Sequence, residues 1–300
     1  MSSLASLTRS GRVLFWQTKK NNKHVSFFHS KKRTPLHLSS INLFMLHEIQ
    51  NGYVKTETHN HITTIEFFHP QSNSLPFKIL EELATEIHAA GNDSETKVII
   101  LRSLGDNAFC AGASFDELLA IKTKEQGLEF FSGFAILINE MRKCSKLIIA
   151  RVHSKCVGGG VGLVAAADYA IAAEGAEIKL SELTIGIGPF VVGPPIERKL
   201  GLSAFTQLAI DATLWRNADW ARRKGLYAEL HPDITGMDES IHRLAEALVH
   251  SSLPAMKEMK KNFWQGTDHW DKLLMERAAI SGTLILGDEA KKALEKYKKK

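Results

Sequence analysis

Hydrophobic positions along the chain follow two periodicities, which predict two kinds of element. Short apolar or alternating runs bounded by turn residues predict strands, and longer runs with apolar residues three or four positions apart predict amphipathic helices. The predicted strands cover residues 54–58, 62–67, 97–102, 147–152, 168–172 and 177–180. The predicted helices cover residues 75–90, 127–144, 195–200, 204–211, 218–224, 237–250, 254–263, 269–286 and 288–299.

The order of these elements predicts an α/β fold. Strands and helices mix over residues 47–235, whereas residues 236–300 contain helical patterns alone. Strand-and-helix units followed by helices are typical of an α/β core with an appended helical region. With 300 residues, of which 44% are hydrophobic, the chain is long enough to bury a full core.

Residues 1–46 differ from the rest in charge. They contain eight Lys or Arg and no acid, so the remaining chain carries about −3 of the net charge of +5. Because that part is not a polycation, binding to nucleic acid through bulk charge is not expected. The basic, Ser-rich composition of residues 1–46 fits either a disordered extension or a mitochondrial transit peptide. No long amphipathic helix is evident over residues 19–32, which favours the extension and a cytoplasmic protein, with the mitochondrial matrix as the alternative.

Three further classes are disfavoured by composition. No run of about 18 uncharged apolar residues predicts a membrane span. The cysteines, Cys110, Cys144 and Cys156, are odd in number and form no C-x-x-C pair, which fits a reducing compartment rather than a disulfide framework or zinc site. The histidines form no H-E-x-x-H motif, so we expect no metal site.

The most informative stretch is residues 155–168, KCVGGGVGLVAAAD, which follows the predicted strand 147–152. Gly158, Gly159 and Gly160 are unfavourable inside a helix or strand but suit a place where another group approaches bare main chain. The small apolar residues 161–167 are expected to begin a short buried helix. Its N-terminal N–H groups would then point at a negative charge.

Three interpretations of this stretch are open. It is a tightly packed turn, a dinucleotide fingerprint, or part of an oxyanion hole. Gly160, Gly162 and Ala165 fit G-x-G-x-x-A, with Glu182 downstream as a ribose ligand. That fingerprint is disfavoured because the strand ends several residues before the glycines and an extended run at 168–172 cuts the helix short.

A second loop of similar character precedes it. AFCAGA at 108–113 follows the strand at 97–102, HPQSNSL lies at 69–75, and SELTIGIG lies at 181–188. In this order and spacing the four motifs resemble the crotonase (enoyl-CoA hydratase/isomerase) family over about residues 50–300. The resemblance implies a superhelix of β-β-α units with a C-terminal helical region that forms trimers or pairs of trimers.

The resemblance also implies a site. It assigns the two oxyanion-hole N–H groups to Ala113 and Gly159 and the proton-carrying carboxylate to Glu182. It implies an acyl-CoA thioester as the substrate, with no cofactor beyond the coenzyme A of that substrate. The residues implied to contact the substrate are Ala111, Gly112, Gly158, Gly160, Phe190 in an apolar acyl pocket, and Lys296 on the last helix.

One residue departs from the family pattern. Hydratases of this family carry a second glutamate three residues after the middle glycine, and Gly162 stands at that position. Asp116 or Glu117 would have to hold the water instead, although a solvated helix charge is the more favoured interpretation of both. The apolar neighbours of Glu182 predict partial burial and a raised pKa, which suits a proton carrier.

These observations favour an enzyme that stabilises a thioester enolate and moves a proton with Glu182. A single carboxylate favours migration of a double bond over hydration, since hydration normally needs a second group to hold water. The competing hypothesis is a catalytically silent acyl-CoA-binding protein. The four tryptophans of the helical part, including Trp215, are expected to serve packing or subunit contacts.

Overall fold

The structure, a computed structural model, describes residues 6–7, 13–14 and 50–298. Contacts between Cα atoms divide the chain into two units, Met1–Leu43 and Phe44–Lys300. In the first unit, strands β1 (Ser6–Leu7) and β2 (Val13–Leu14) pair antiparallel. The rest of the basic segment up to residue 46 lies outside the described residues, so its role as an extension or a targeting segment stays a prediction.

The second unit is built on a six-stranded sheet with the order β13-β11-β9-β6-β4-β3. All neighbouring strands are parallel except β3 and β4, which form an antiparallel hairpin. The five longer strands lie within one residue of their predicted bounds, whereas the three-residue strand β13 is not predicted by the sequence; the predicted α/β class is confirmed. The strands are β3 (Tyr53–His59), β4 (Ile62–Phe68), β6 (Val98–Ser103), β9 (Leu147–Val152), β11 (Tyr169–Ala173) and β13 (Glu229–His231).

Short strands form a second layer. A parallel three-stranded sheet has the order β12-β10-β7, and a parallel pair joins β5 to β8. A long strand, a short strand and a helix recur along the chain, which is the expected β-β-α unit. The short strands are β5 (Ser74–Leu75), β7 (Ala108–Cys110), β8 (Gly112–Ala113), β10 (Lys155–Val157) and β12 (Ile178–Lys179).

Eleven α-helices lie entirely within the described residues, and those predicted lie within three residues of their expected bounds. Their apolar faces cover the sheet, as their amphipathic patterns require. They are α1 (Phe77–Asn92), α2 (Phe115–Ala120), α3 (Lys124–Lys143), α4 (Gly159–Ala166), α5 (Gly193–Leu200), α6 (Leu202–Ile210), α7 (Ala218–Arg223), α8 (Ile234–Val249), α9 (Leu253–Phe263), α10 (Trp270–Leu284) and α11 (Asp288–Lys298).

The C-terminal helices pack on the core rather than forming a separate body. Met237 and Ile241 of α8 pack in one buried cluster with Ile171 of β11. Helix α10 packs closely on α3. A β-carbon added to Gly127 of α3 would lie only 2.6 Å from the Cα atom of Gly282 in α10. Trimer formation through these helices stays a prediction. Among the described residues, every helix is too short or too polar to cross a bilayer.

Candidate active site

The first glycine-bearing bend lies between β7 and β8, and we call residues 111–113 the first corner. Its main chain is held in place by a hydrogen bond that the Ala111 N–H donates to the Asn73 carbonyl oxygen at 3.1 Å. Gly112 has a φ of 96°, in the left-handed region that disfavours a side chain. The bend therefore presents the main chain of Ala113 directly before helix α2.

The second bend, residues 158–160, is the second corner. Gly158 has a φ of 51° and its N–H donates to the Lys179 carbonyl at 2.9 Å. Helix α4 begins at Gly159, two residues earlier than predicted, so Gly159 and Gly160 form its first turn. N–H groups in the first turn of a helix have no partner within that helix. The second corner thus combines a glycine in a conformation that disfavours any side chain with available main-chain donors.

Close packing explains why the helix tolerates these glycines. A β-carbon on Gly159 would lie 2.2 Å from Cζ of Phe134, and one on Gly160 would lie 2.3 Å from the Cys110 carbonyl oxygen. Both distances are far below van der Waals contact, so no side chain fits at either position. Gly160 therefore allows the second corner to pack closely on β7.

The two corners lie side by side. Strands β7 and β10 are neighbours, with Cys156 opposite Cys110, and each corner follows the carboxyl end of its strand. A β-carbon on Gly112 would lie 3.6 Å from the Gly159 nitrogen and 3.2 Å from the Val157 carbonyl oxygen. The first and second corners therefore contact each other through bare main chain.

A cavity of about 440 Å³ opens over the two corners, and we call it the first cavity. Seven of the nine predicted site residues line it; the exceptions are Gly160 and Lys296, an exposed residue on α11. The seven are Ala111, Gly112, Ala113, Gly158, Gly159, Glu182 and Phe190. The other lining side chains are mainly apolar, and Phe115, Phe130, Phe131 and Phe134 form much of that wall.

Glu182 brings a carboxylate to this apolar wall. It begins a 3-10 helix (Glu182–Ile185), and a β-carbon on Gly158 would lie 2.8 Å from its Oε1 atom. Although the residue is partly exposed, its Oε2 atom is buried and has no hydrogen-bond partner. Burial disfavours the charged form and raises the pKa of Glu182 to about 7. The group can therefore accept or release a proton near neutral pH.

The position of the missing glutamate is filled by the side chain of Val192. A β-carbon on Gly162 would lie 2.6 Å from Cγ1 and 2.7 Å from Cβ of Val192. Val192 itself lines the first cavity. A glycine at 162 is thus required by the placement of Val192, and this part of the wall is apolar.

Asp116 and Glu117, the alternative carboxylates, lie elsewhere. Asp116 accepts a hydrogen bond from Gln71 Nε2 at 2.6 Å, and Glu117 accepts one from the Phe77 N–H at 2.9 Å. Both line a second cavity together with His69, and none of the residues 111–113 is among the described residues that line it. Among the described residues that line the first cavity, Glu182 is the one carboxylate.

Two of the lining residues that sequence reasoning did not assign to the site are Trp215 and Lys179. Trp215, expected to serve packing, lies in the cavity wall together with Lys179 of β12. Neither belongs to a recognisable motif. They meet because Ile178 and Arg216 form an antiparallel bridge that holds the two segments together. No spacing along the chain signals that bridge.

The sequence of the chain is similar to a known protein family and to individual proteins. The family model described as enoyl-CoA hydratase/isomerase matches residues 57–300. The chain is 32% identical over 132 residues to a probable enoyl-CoA hydratase of Bacillus subtilis, covering 44% of this chain and 51% of that protein. It is 29% identical over 224 residues to the mitochondrial methylglutaconyl-CoA hydratase of Homo sapiens, covering 72% of this chain and 65% of the relative.

The fold is shared with solved structures. An enoyl-CoA hydratase from Bacillus halodurans superimposes with a TM-score of 0.76 at 23% identity, covering 81% of this chain and 99% of that one. At that identity the likeness concerns the fold. The chain spans about half the length of the first curated relatives that it matches, such as the Bacillus subtilis protein.

Proposed function

Since the chain belongs to the enoyl-CoA hydratase/isomerase family, we propose that it moves a proton within an enoyl-CoA thioester and so shifts its double bond. Glu182 removes a proton from C2 of a 3-enoyl thioester. The electron pair passes into the thioester carbonyl, the double bond moves to C2=C3, and the same carboxyl returns the proton to C4. Atoms and charge balance without a co-reactant.

The charge that develops on the thioester oxygen needs donors. In this proposal the N–H groups of Ala113 and Gly159 hold that oxygen, and the contact between the two corners supports the assignment. Donors fixed in advance cost no reorganisation during the reaction, and each one typically contributes about 3 kcal/mol to a transition state of this type. The glycines around them leave the space that a thioester requires.

The observation that carries the choice of reaction is the single carboxylate. Hydration needs one group to activate water and another to protonate the carbon or orient that water. The Gly162 position is closed by Val192. Asp116 and Glu117 line the second cavity and accept hydrogen bonds from Gln71 and Phe77. One buried carboxyl with a pKa of about 7 is sufficient for a proton relay between two carbons on one face of the substrate.

Two substrates test the proposal. A 3-enoyl-CoA gains the ultraviolet absorbance of a conjugated thioester on isomerisation, and a 2-enoyl-CoA loses it on hydration. We expect turnover of the first, abolished in Glu182→Gln, and little turnover of the second. Turnover of 2-enoyl-CoA alone, or turnover that survives Glu182→Gln, would contradict it.

The closed position at Gly162 also favours a second candidate, an acyl-CoA-binding protein without turnover. It predicts tight binding of acyl-CoA in titration calorimetry and no turnover of either thioester, with Glu182→Gln leaving the affinity unchanged. The same assays therefore separate the two candidates.

A further inference from the structure

The charges in the wall of the first cavity are few and specific. Two of the described residues that line it have ionisable side chains, the acid Glu182 and the base Lys179. The proposed reaction uses Glu182 and leaves Lys179 without a role. The rest of the wall consists of apolar side chains, bare main chain and neutral hydroxyl groups.

Lys179 lies on β12, three residues before Glu182, and is partly buried. Its ammonium lies 4.6 Å from the ring centroid of Trp215, which lines the same cavity. Within the described part of the chain, no acidic side chain forms an ion pair with it. An ammonium over an aromatic face is partly compensated, but it keeps hydrogen-bond donors that a ligand can use.

A neighbouring lysine provides the contrast. Lys155 also lies over the Trp215 ring, at 5.0 Å from the centroid, and it pairs with Glu177 at 3.5 Å. Lys155 is not among the described residues that line the first cavity. The two lysines share an aromatic partner, but only Lys155 has its charge matched by a carboxylate within the protein.

We propose that Lys179 binds a carboxylate at the distal part of the acyl group, so that the preferred substrates are CoA thioesters of dicarboxylic acids. The inference rests on the proposed function for the site and adds its substrate class. An acyl carboxylate would supply the counter-charge that Lys179 lacks. Neutral acyl groups of the same length would leave the ammonium unpaired beside apolar surface, which is unfavourable.

Coenzyme A itself offers a second source of negative charge, its phosphates. These sit at the far end of the pantetheine arm, remote from the thioester. Lys179 shares one cavity with Glu182 and with both corners, where the thioester is proposed to lie. An acyl carboxylate is therefore the proposed partner of Lys179, and a contact with a phosphate of coenzyme A is the alternative that the test distinguishes.

Binding measurements with saturated probes test the inference without turnover. We expect the full-length protein to bind adipoyl-CoA about 10- to 100-fold more tightly than hexanoyl-CoA, the range typical of a hydrogen bond between charged groups. Lys179→Met should reduce that ratio to about 2-fold or less, since it removes the charge and keeps most of the side-chain length. Lys155→Met is the matched control and should keep the ratio of the native chain.

Three results would overturn the inference. They are equal affinity of the native protein for the two probes, an equal loss for both in Lys179→Met, and a similar loss for free CoA, which would assign the lysine to a phosphate. Kinetics then separate the two proposals. Preference for adipoyl-CoA without turnover of 3-hexenoyl-CoA or 3-hexenedioyl-CoA would leave the anion site standing and reject the proton transfer. Equal kcat/KM for those two thioesters would do the reverse.

Discussion

Two cavities of nearly equal volume, about 440 and 450 Å³, both take lining residues from the segment 111–118, and each contains at least one acidic residue. In the first cavity, the Oε2 atom of Glu182 is buried without a partner among aromatic and aliphatic side chains. In the second, Asp116 and Glu117 accept hydrogen bonds from Gln71 Nε2 and the Phe77 N–H. The residue types are similar, and their surroundings differ.

The difference explains why one carboxyl is suited to proton transfer and the others are not. Burial without hydrogen-bond donors stabilises the neutral form of a carboxyl group. It raises the pKa of Glu182 to about 7. Glu117 instead serves helix α1, whose N-cap residue Pro76 provides no side-chain hydrogen bond. Four experiments on activity or stability test this difference between the two cavities.

The largest expected effect is on activity. Glu182→Gln removes the proton carrier from the first cavity and should lower kcat by about 10²- to 10⁴-fold, the usual contribution of general acid–base catalysis. Asp116→Asn changes an exposed carboxylate of the second cavity and should leave kcat within about 2-fold. Rates with a 3-enoyl-CoA measure both. A similar loss in the two variants would show that the cavities do not differ in function.

The next effect is on stability at the contact between the corners. Gly160→Ala places a methyl group 2.3 Å from the Cys110 carbonyl oxygen, which is backbone and cannot turn away. We expect a loss of about 3 kcal/mol in the free energy of unfolding, at the upper end for overpacking. Gly175→Ala, whose β-carbon would meet no atom within 4 Å, is the control and should change it by less than about 0.5 kcal/mol. Urea unfolding of both variants gives the comparison, and equal losses would contradict it.

The pH dependence follows from the raised pKa of Glu182, about 7 against an ordinary value of 4.5. In the folded state the carboxyl holds its proton to a higher pH than in the unfolded state, so stability falls as pH rises from 4.5 to 7. Relative to Glu182→Gln, the native chain should lose on the order of 2 kcal/mol across this window, less than a fully buried carboxyl would, because the residue is partly exposed to solvent. The kcat/KM should rise through pH 7, because the ionised form accepts the proton.

Unfolding at a series of pH values and a pH–rate profile measure these two trends. A flat difference between the native chain and Glu182→Gln would mean that the carboxyl is ionised in the folded protein at pH 5.

The smallest effect belongs to the second cavity. Glu117→Ala removes the acceptor for the Phe77 N–H at the start of α1 and should cost about 1 kcal/mol of stability, as the loss of a helix cap does. Glu81→Ala, at an exposed position of the same helix, should change stability by a few tenths of a kcal/mol. Thermal unfolding of the two variants gives the result. Loss of activity in Glu117→Ala at full folding would instead place Glu117 in the reaction.

Much of this architecture is determined by the sequence alone. Regular hydrophobic spacing marks the long strands and the helices, because each buries one face over several residues and so repeats its pattern. The three consecutive glycines mark the second corner from the residues themselves, and the resemblance to the crotonase family implies the first corner and Glu182 as its partners in one site. Of the predicted site, seven residues line one cavity.

Other features were decided by the tertiary structure. Strands of two or three residues such as β5, β8 and β10 are too short to show a period, and they form because a neighbour supplies the hydrogen-bond partners. The Gly162 position is closed by Val192, thirty residues away. The orientation of the Glu117 side chain depends on the hydrogen bond that it accepts from the Phe77 N–H. Trp215 and Lys179 meet in the cavity through the bridge beside them. The sequence determines which residues can be buried or charged, but whether a charge is left without a partner depends on contacts between distant segments, which only the folded chain brings together.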